Sequence, residues 1–200
     1  MSETTPVDPK RVFINAPFDR AYEPLFITLV GMIAFLEYRP HCVLEVRETG
    51  EGRLQRIYEL MRTCRISLHD MSRIGTPARF NMPFELGLAC SLKLRNPDQH
   101  EILVLDSTEY RLDRRLSDYK GRDLFLHRGT HEGMVAALLD AFQSQHRDPS
   151  MFRRAAHRLR SSVNVIKREA RAATIFHPYL FWRVTNAALD IAARDGLIVP

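Results

Sequence analysis

Short apolar runs alternate with amphipathic segments over residues 11–145 of this chain. Short apolar runs bounded by turn residues predict buried strands, whereas apolar residues that recur every three or four positions predict helices. The predicted strands cover residues 11–15, 42–46, 65–70, 101–106 and 123–127. The predicted helices cover residues 22–38, 54–64, 79–94 and 134–142, and residues 110–122 are polar and irregular.

Strands that alternate with helices are typical of a parallel sheet covered by helices on both faces. Five such strands predict a flavodoxin-like, doubly wound α/β fold with the strand order 2-1-3-4-5. In these sheets ligands bind at the carboxyl ends of the strands, near the switch point between strands 1 and 3. Asn15 and Asp70 end those two strands, so we expect the functional site to include them.

The chain changes character after Asp148-Pro149. Residues 149–200 carry a formal charge of +6, whereas residues 1–148 carry −1. An apolar stripe with basic residues opposite predicts one amphipathic helix there, and a second follows His177-Pro178. We therefore expect a flexible arm at 1–10, an α/β domain at 11–148 and a basic helical extension at 149–200. The stripe suits packing on the sheet domain or on a second subunit of a homo-oligomer.

Several classes of protein do not fit the sequence. The apolar run at 25–36 is too short to span a bilayer, and the amino terminus has no secretory pattern. Cys42, Cys64 and Cys90 are scattered, which predicts reduced thiols in a cytoplasmic protein. Neither metal-ligand spacing nor a glycine-rich phosphate loop is present, so no metal and no cofactor are predicted.

Glu85 is the residue with the clearest chemical potential. It lies between Phe84 and Leu86 on a predicted helix, and a carboxylate buried without a partner is costly, so we expect it to face a cleft. A carboxylate there could stabilise or trap the positive charge that develops on a sugar ring when an N-glycosidic bond breaks. The alternative is a structural carboxylate, salt-bridged to Arg79 or to a neighbouring strand.

Other candidates surround the same sheet edge. Asp70 either contacts a ligand or caps the loop that follows its strand. His69 is expected to face the opposite side of the sheet from Asp70 and to be structural, because side chains alternate along a strand. Three further groups of candidates lie near this edge. Ala16, Pro17, Phe18 and Asp19 follow the first strand, Arg47 and Arg53 flank the start of the second helix, and Asn81 and Met82 begin the helix that carries Glu85.

Each of these further candidates has a specific chemical reason. A guanidinium of Arg47 or Arg53 would suit a phosphate, although a solvated loop is the alternative. Asn81 could cap the Glu85 helix, whose amino terminus also favours anions. Asp19 suits a cap of the helix that follows the first strand.

Three segments resemble a known family. Residues 11–18 resemble the first strand and loop of the nucleoside 2-deoxyribosyltransferase family and the opening strand of TIR domains. Residues 67–72 resemble the transferase strand that ends in Asp, and residues 84–89 are similar to the helix that carries the catalytic Glu in both groups. The resemblance covers residues 11–130.

The resemblance implies roles for these residues. Glu85 would attack or stabilise C1′ of a ribosyl group, and Asp70 would bind the sugar hydroxyls or orient the base. Residues 15–18 would line the pocket, with the ring of Phe18 against the base. Transferases of this type complete their sites across subunits, so the resemblance also implies a homo-oligomer.

Two functions from different classes follow. The first is a hydrolase or transferase that cleaves an N-glycosidic bond of a nucleotide or nucleoside, with NAD or a deoxyribonucleoside as substrate. The second is a non-catalytic nucleotide-sensing module that signals to a protein partner. The resemblance to TIR domains implies bacterial anti-phage defence as one biological setting. The Met82-Pro83 step favours the second, because transferases place a small Gly-Thr or Gly-Ser step there. A third reading is nucleic-acid binding by the basic helix, for which a solvated helix face is the favoured alternative.

Overall fold

Five parallel strands form one sheet in the computed structural model, which describes residues 6–46, 52–73, 81–109, 116 and 123–198. The strands are β1 (Asp8–Asn15), β2 (Arg39–Cys42), β3 (Cys64–Asp70), β4 (Glu101–Asp106) and β5 (Phe125–Leu126). Their order in the sheet is β2-β1-β3-β4-β5, and every neighbouring pair is parallel. The predicted flavodoxin-like order is therefore confirmed.

Helices cover both faces of this sheet. They are α1 (Glu23–Phe35), α2 (Arg53–Arg62), α3 (Asn81–Arg95), α4 (His131–Ala141), α5 (Pro149–Glu169) and α6 (Pro178–Arg194). Helices α2 and α3 pack on one face, whereas α1 packs on the other together with α4, α5 and α6. Among the described helices, none is both long and apolar enough to cross a membrane.

Helix α1 is apolar nearly all round because it lies between the sheet and the carboxyl-terminal helices. A helix with this pattern is expected to be buried on every side. Gly31 allows the close contact with α5, since a Cβ atom at that position would lie 2.5 Å from Cδ2 of Leu159.

The carboxyl-terminal helices belong to the main core. Phe152 and Leu159 of α5 and Phe181 of α6 are in the same buried cluster as Val12 and Ile14 of β1. The apolar stripe predicted for the extension therefore packs on the α/β domain, which is one of the two alternatives that the sequence left open.

A partly buried ion pair also ties these helices to α1. The ammonium group of Lys167 on α5 pairs with one oxygen of Glu23, whose side chain is nearly buried. The other oxygen of Glu23 accepts a hydrogen bond of 3.1 Å from the backbone N–H of Ile175, in the connection between α5 and α6. The first turn of α1 thus holds both α5 and the segment that follows it.

The predicted bounds of the second strand were wrong. The strand ends at Cys42, and residues 43–45 form one turn of 3-10 helix. Glu45 ends the strand, because its Oε2 accepts a hydrogen bond of 2.9 Å from the backbone N–H of Cys42. The apolar residues that suggested a strand turn inward, Val43 toward α2 and α3 and Leu44 toward the main core. Pro40 is tolerated because β2 is an edge strand.

Candidate functional site

Asn15 joins the end of β1 to the first turn of α3. Its Nδ2 donates a hydrogen bond of 2.9 Å to the backbone oxygen of Met82 and lies 3.1 Å from Nδ1 of His69. The side chain can reach both because it follows Phe13 on the face of the sheet that α2 and α3 cover. The structure therefore brings together two predicted site residues, Asn15 and Met82, and adds His69.

His69 is neutral and carries its proton on Nε2. Because Asn15 donates to Nδ1, that nitrogen must be the acceptor, which leaves the proton on the other one. Burial, with a smaller contribution from His100, lowers the pKa of His69 to about 3. Nε2 is buried and has no hydrogen-bond partner within the described part of the chain. A donor in that state costs about 1–3 kcal/mol, and it is suited to an acceptor on a bound molecule.

Glu85 lies one helical turn after Met82, on the buried side of α3. The residue is only 7% exposed and makes no hydrogen bond to any residue in the described ranges. Burial raises the pKa of Glu85 to about 7, and the positive charge of Arg53 opposes that rise. The side chain is therefore divided between its protonated and ionised forms at neutral pH. The salt bridge predicted as an alternative involves Arg79, which lies outside the described residues.

Arg53 places a guanidinium on the same side of the sheet. It is the first residue of α2 and follows Gly52, whose φ of 99° is in the left-handed region that favours glycine. Its charge acts on Glu85, so two predicted site residues from different helices influence each other electrostatically. Arg47, the other predicted cation, lies outside the described residues.

Asp70 is fully buried in a separate network of polar side chains. The hydroxyl of Tyr22 donates to Oδ2, and the backbone N–H of Ser72 donates to Oδ1 at 2.8 Å. Nε2 of His127 lies 3.1 Å from Oδ2, and Nδ1 of the same ring accepts a hydrogen bond of 3.0 Å from the N–H of Gly129. Burial raises the pKa of Asp70, but the contacts with His127, Tyr22 and Ser72 outweigh it and lower the pKa overall.

His69 and Asp70, with their polar partners, face opposite sides of the sheet. His69 contacts Asn15 and Phe13 on the α2–α3 side, whereas Asp70 contacts Tyr22 on the α1 side. This agrees with the alternation expected for consecutive strand residues. Asp70 and Glu85 thus share the carboxyl edge of the sheet but have different partners, and the predicted contact of Asp70 with a ligand stays a prediction.

The loop after β1 is packed against the carboxyl-terminal helices. Ala16 and Pro17 are buried, and the ring of Phe18 meets those of Phe26 and Phe176 edge to face at centroid distances of 5.3 and 5.5 Å. Phe18 therefore contacts two other aromatic rings, and its predicted contact with a base stays a prediction. Phe176 was not among the predicted site residues, since it lies far along the chain.

Asp19 and Asn81 occupy the turns that lead into helices. Oδ1 of Asp19 accepts a hydrogen bond of 2.9 Å from the N–H of Tyr22, and Nε of Arg73 lies 3.3 Å from its Oδ2. Tyr22 is the amino-terminal cap of α1 and makes no side-chain capping bond, so Asp19 closes the turn before the helix. Asn81 is the exposed first residue of α3.

Two functional candidates were missed by sequence reasoning. Tyr22 was assigned only to the predicted helix at 22–38, and His127 only to the predicted strand at 123–127. Their common signal is position, since each lies just after a strand or a strand loop at the carboxyl edge of the sheet. In the described ranges, no group of three or more His, Cys, Asp or Glu side chains is arranged to hold a metal ion.

Comparison with protein-family models, with curated proteins and with solved structures found no match to this chain. The argument for function therefore depends on the site itself. At that site, the charge of the Arg53 guanidinium acts on a largely buried carboxylate, Glu85, whose pKa is raised to about 7. The helix that carries it is fixed to the end of β1 by an amide.

Proposed function

We propose that this protein cleaves an N-glycosidic bond of a nucleotide or nucleoside, with Glu85 acting at C1′ of the sugar. The observation that carries the proposal is the state of Glu85. It is buried, it has no hydrogen-bond partner among the described residues, and its pKa is raised to about 7. Perturbed carboxylates of this kind are concentrated at functional sites.

The chemistry requires one carboxylate close to the sugar. As the bond between C1′ and the base nitrogen breaks, its electron pair leaves with the base and positive charge develops on the sugar ring. Ionised Glu85 stabilises that charge, or forms an ester with C1′ that water or a second base then displaces. The low dielectric around a buried carboxylate strengthens this interaction.

The leaving group distinguishes the substrates. Nicotinamide in NAD is already cationic and departs as a neutral base, so one carboxylate is sufficient. The bases of ordinary nucleosides need a proton as they leave, and Glu85 can supply it only in its protonated form, which does not stabilise the sugar cation, so NAD fits a single carboxylate better. The guanidinium of Arg53, whose charge acts on Glu85, favours a substrate with phosphate groups.

The direct test is release of free base from NAD and from a panel of nucleosides and nucleotides, followed by chromatography. We expect the wild type and the control variant Glu101→Gln, which changes an exposed carboxylate, to release base at similar rates. Glu85→Gln should lose at least about 100-fold in rate. Equal rates for wild type and Glu85→Gln would refute the role of Glu85.

The pH profile of the same reaction identifies the active form of Glu85. If the carboxylate stabilises the sugar cation, the rate with NAD rises with pH through about 7 and then levels, because the ionised form dominates above its pKa. For a nucleoside whose base must be protonated, the rate falls above that pH.

A nucleotide-sensing module is the second candidate. The observation that favours it is the closed network around Asp70, in which both oxygens of this carboxylate are used for protein contacts. A sensor would bind a nucleotide without releasing base and pass the signal to a protein partner. Thermal stabilisation by NAD or a nucleotide with no base release would support this candidate over the enzyme.

A further inference from the structure

The outer face of α5 is a long basic surface. The buried residues of this helix lie on one side, and the exposed ones fall within the opposite side. We call this exposed side the α5 outer face; its residues are Arg153, Arg154, His157, Arg158, Ser161, Asn164, Val165, Arg168 and Glu169. Glu169, its one acidic residue, ends the helix and pairs with Arg183 of α6, so the four guanidiniums give the face a positive charge.

Two of these guanidiniums, Arg154 and Arg153, act electrostatically on exposed Asp148, just before the helix begins. Three of the four form no salt bridge with a carboxylate among the described residues. They are Arg153, Arg154 and Arg168, and of them only Arg154 makes a hydrogen bond to a side chain, the hydroxyl of Ser150. Arg158 differs, because it pairs with Asp195 from the end of α6. Most of the charge on this face is thus available to an external anion.

The arrangement is extended and rigid. Arg153 and Arg168 are 15 residues apart on one helix, which separates them by about 22 Å. The major groove of a duplex is about 12 Å wide, so a face of this length reaches the phosphate backbones on both sides of the groove. Helix α5 is held on the core by buried residues such as Phe152 and Leu159, so its cations need little reordering to meet phosphates.

We propose that the α5 outer face binds the phosphate backbone of double-stranded nucleic acid, without reading its sequence. The absence of aromatic residues from the face argues against single strands, whose bases stack on aromatic rings. An acidic protein is also a poorer fit, because protein interfaces have a desolvated apolar centre and Val165 is the only apolar residue on this face. Guanidiniums bind phosphate oxygens in a bidentate manner, which suits the residue type that dominates here.

The test is binding of the full chain to a fluorescein-labelled 20-base-pair duplex, measured by anisotropy over a series of salt concentrations. Three contacting cations, Arg153, Arg154 and Arg168, predict a slope of log K against log salt of about −2.7. Arg153→Gln/Arg168→Gln should reduce the steepness of that slope by about 2 and weaken binding at least about tenfold at low salt. A single strand of the same length should bind more weakly than the duplex.

The matched control is Arg56→Gln/Arg95→Gln, which removes the same charge from α2 and α3 on the other face of the sheet. It should bind within about twofold of the wild type, and thermal melting should show all three proteins folded. Equal weakening by both double variants would overturn the proposal, since only net charge would then matter. A slope of log K against log salt near zero for the wild type would also overturn it. So would displacement of the duplex by polyglutamate of equal total charge, because that result would indicate an acidic protein as the partner.

Discussion

Replacing Glu85 by Gln should stabilise the protein at alkaline pH and have little effect at acid pH. The reason is that burial disfavours the ionised form of this carboxyl, which makes no hydrogen bond to a described residue. Glutamine has nearly the same shape and remains neutral at every pH. The substitution therefore removes the cost of burying a charge while leaving the packing of α3 almost unchanged.

The magnitude follows from the pKa of Glu85. Folding raises that pKa from 4.5 to about 7, and each pKa unit corresponds to about 1.36 kcal/mol. Below pH 4.5 the side chain is protonated in both folded and unfolded chains, so it costs nothing. Between pH 4.5 and about 7 the unfolded chain releases this proton while the folded chain keeps it, so stability falls by about 3 kcal/mol over that range and then levels off.

The assay is urea unfolding of wild type and Glu85→Gln between pH 5 and pH 8.5. We expect the free energy of unfolding of the variant to exceed that of the wild type by less than 1 kcal/mol at pH 5 and by about 3 kcal/mol at pH 8.5. Glu101→Gln, at an exposed carboxylate, is the control and should differ from the wild type by about 0.5 kcal/mol or less throughout. A difference for Glu85→Gln that does not change with pH would refute the buried, unpartnered state assigned to this residue.

Three other substitutions test the contacts around the site. Tyr22→Phe removes the hydroxyl that donates to buried Asp70 and should lower the free energy of unfolding by about 1.5–3 kcal/mol in urea denaturation at pH 7. Glu23→Gln leaves Lys167 without its carboxylate and should cost about 3 kcal/mol by the same measurement; an unchanged midpoint would show that this pair contributes nothing. Thr130→Ala removes the side-chain cap of α4 and should cost about 1 kcal/mol, with Thr130→Ser close to the wild type.

The fold was predictable because the strong signals in this chain are local. Buried strands and amphipathic helices alternate clearly, and the rules for parallel sheets then leave few topologies. The second strand shows where such signals fail. Residues 42–46 are apolar enough to suggest a strand, but the carboxylate of Glu45 ends it at Cys42. The actual strand contains Pro40, which only its position at the sheet edge makes acceptable.

The site was only partly predictable, because its contacts are long-range. Asn15 could be placed at the carboxyl edge from the strand pattern, yet its bonds to Met82 and His69 depend on how α3 enters the fold. The partners of Asp70 come from α1 and from the residues after β5, segments far apart in the sequence. Residue spacing within one segment contains no information about contacts between distant segments.

The packing between the carboxyl-terminal helices and the site bears on the choice between enzyme and sensor. Phe176 contacts Phe18, and Ile175 and Lys167 hold Glu23, so the connection after α5 is fixed to the loop that follows Asn15. A sensor must have a second arrangement of these contacts that the ligand stabilises, because a ligand shifts an equilibrium only by binding two states unequally. Breaking a partly buried ion pair and separating packed rings would make that second arrangement costly. The same rigidity benefits an enzyme, which needs Glu85 held in one position, and it would let the α5 outer face localise the protein without altering the site.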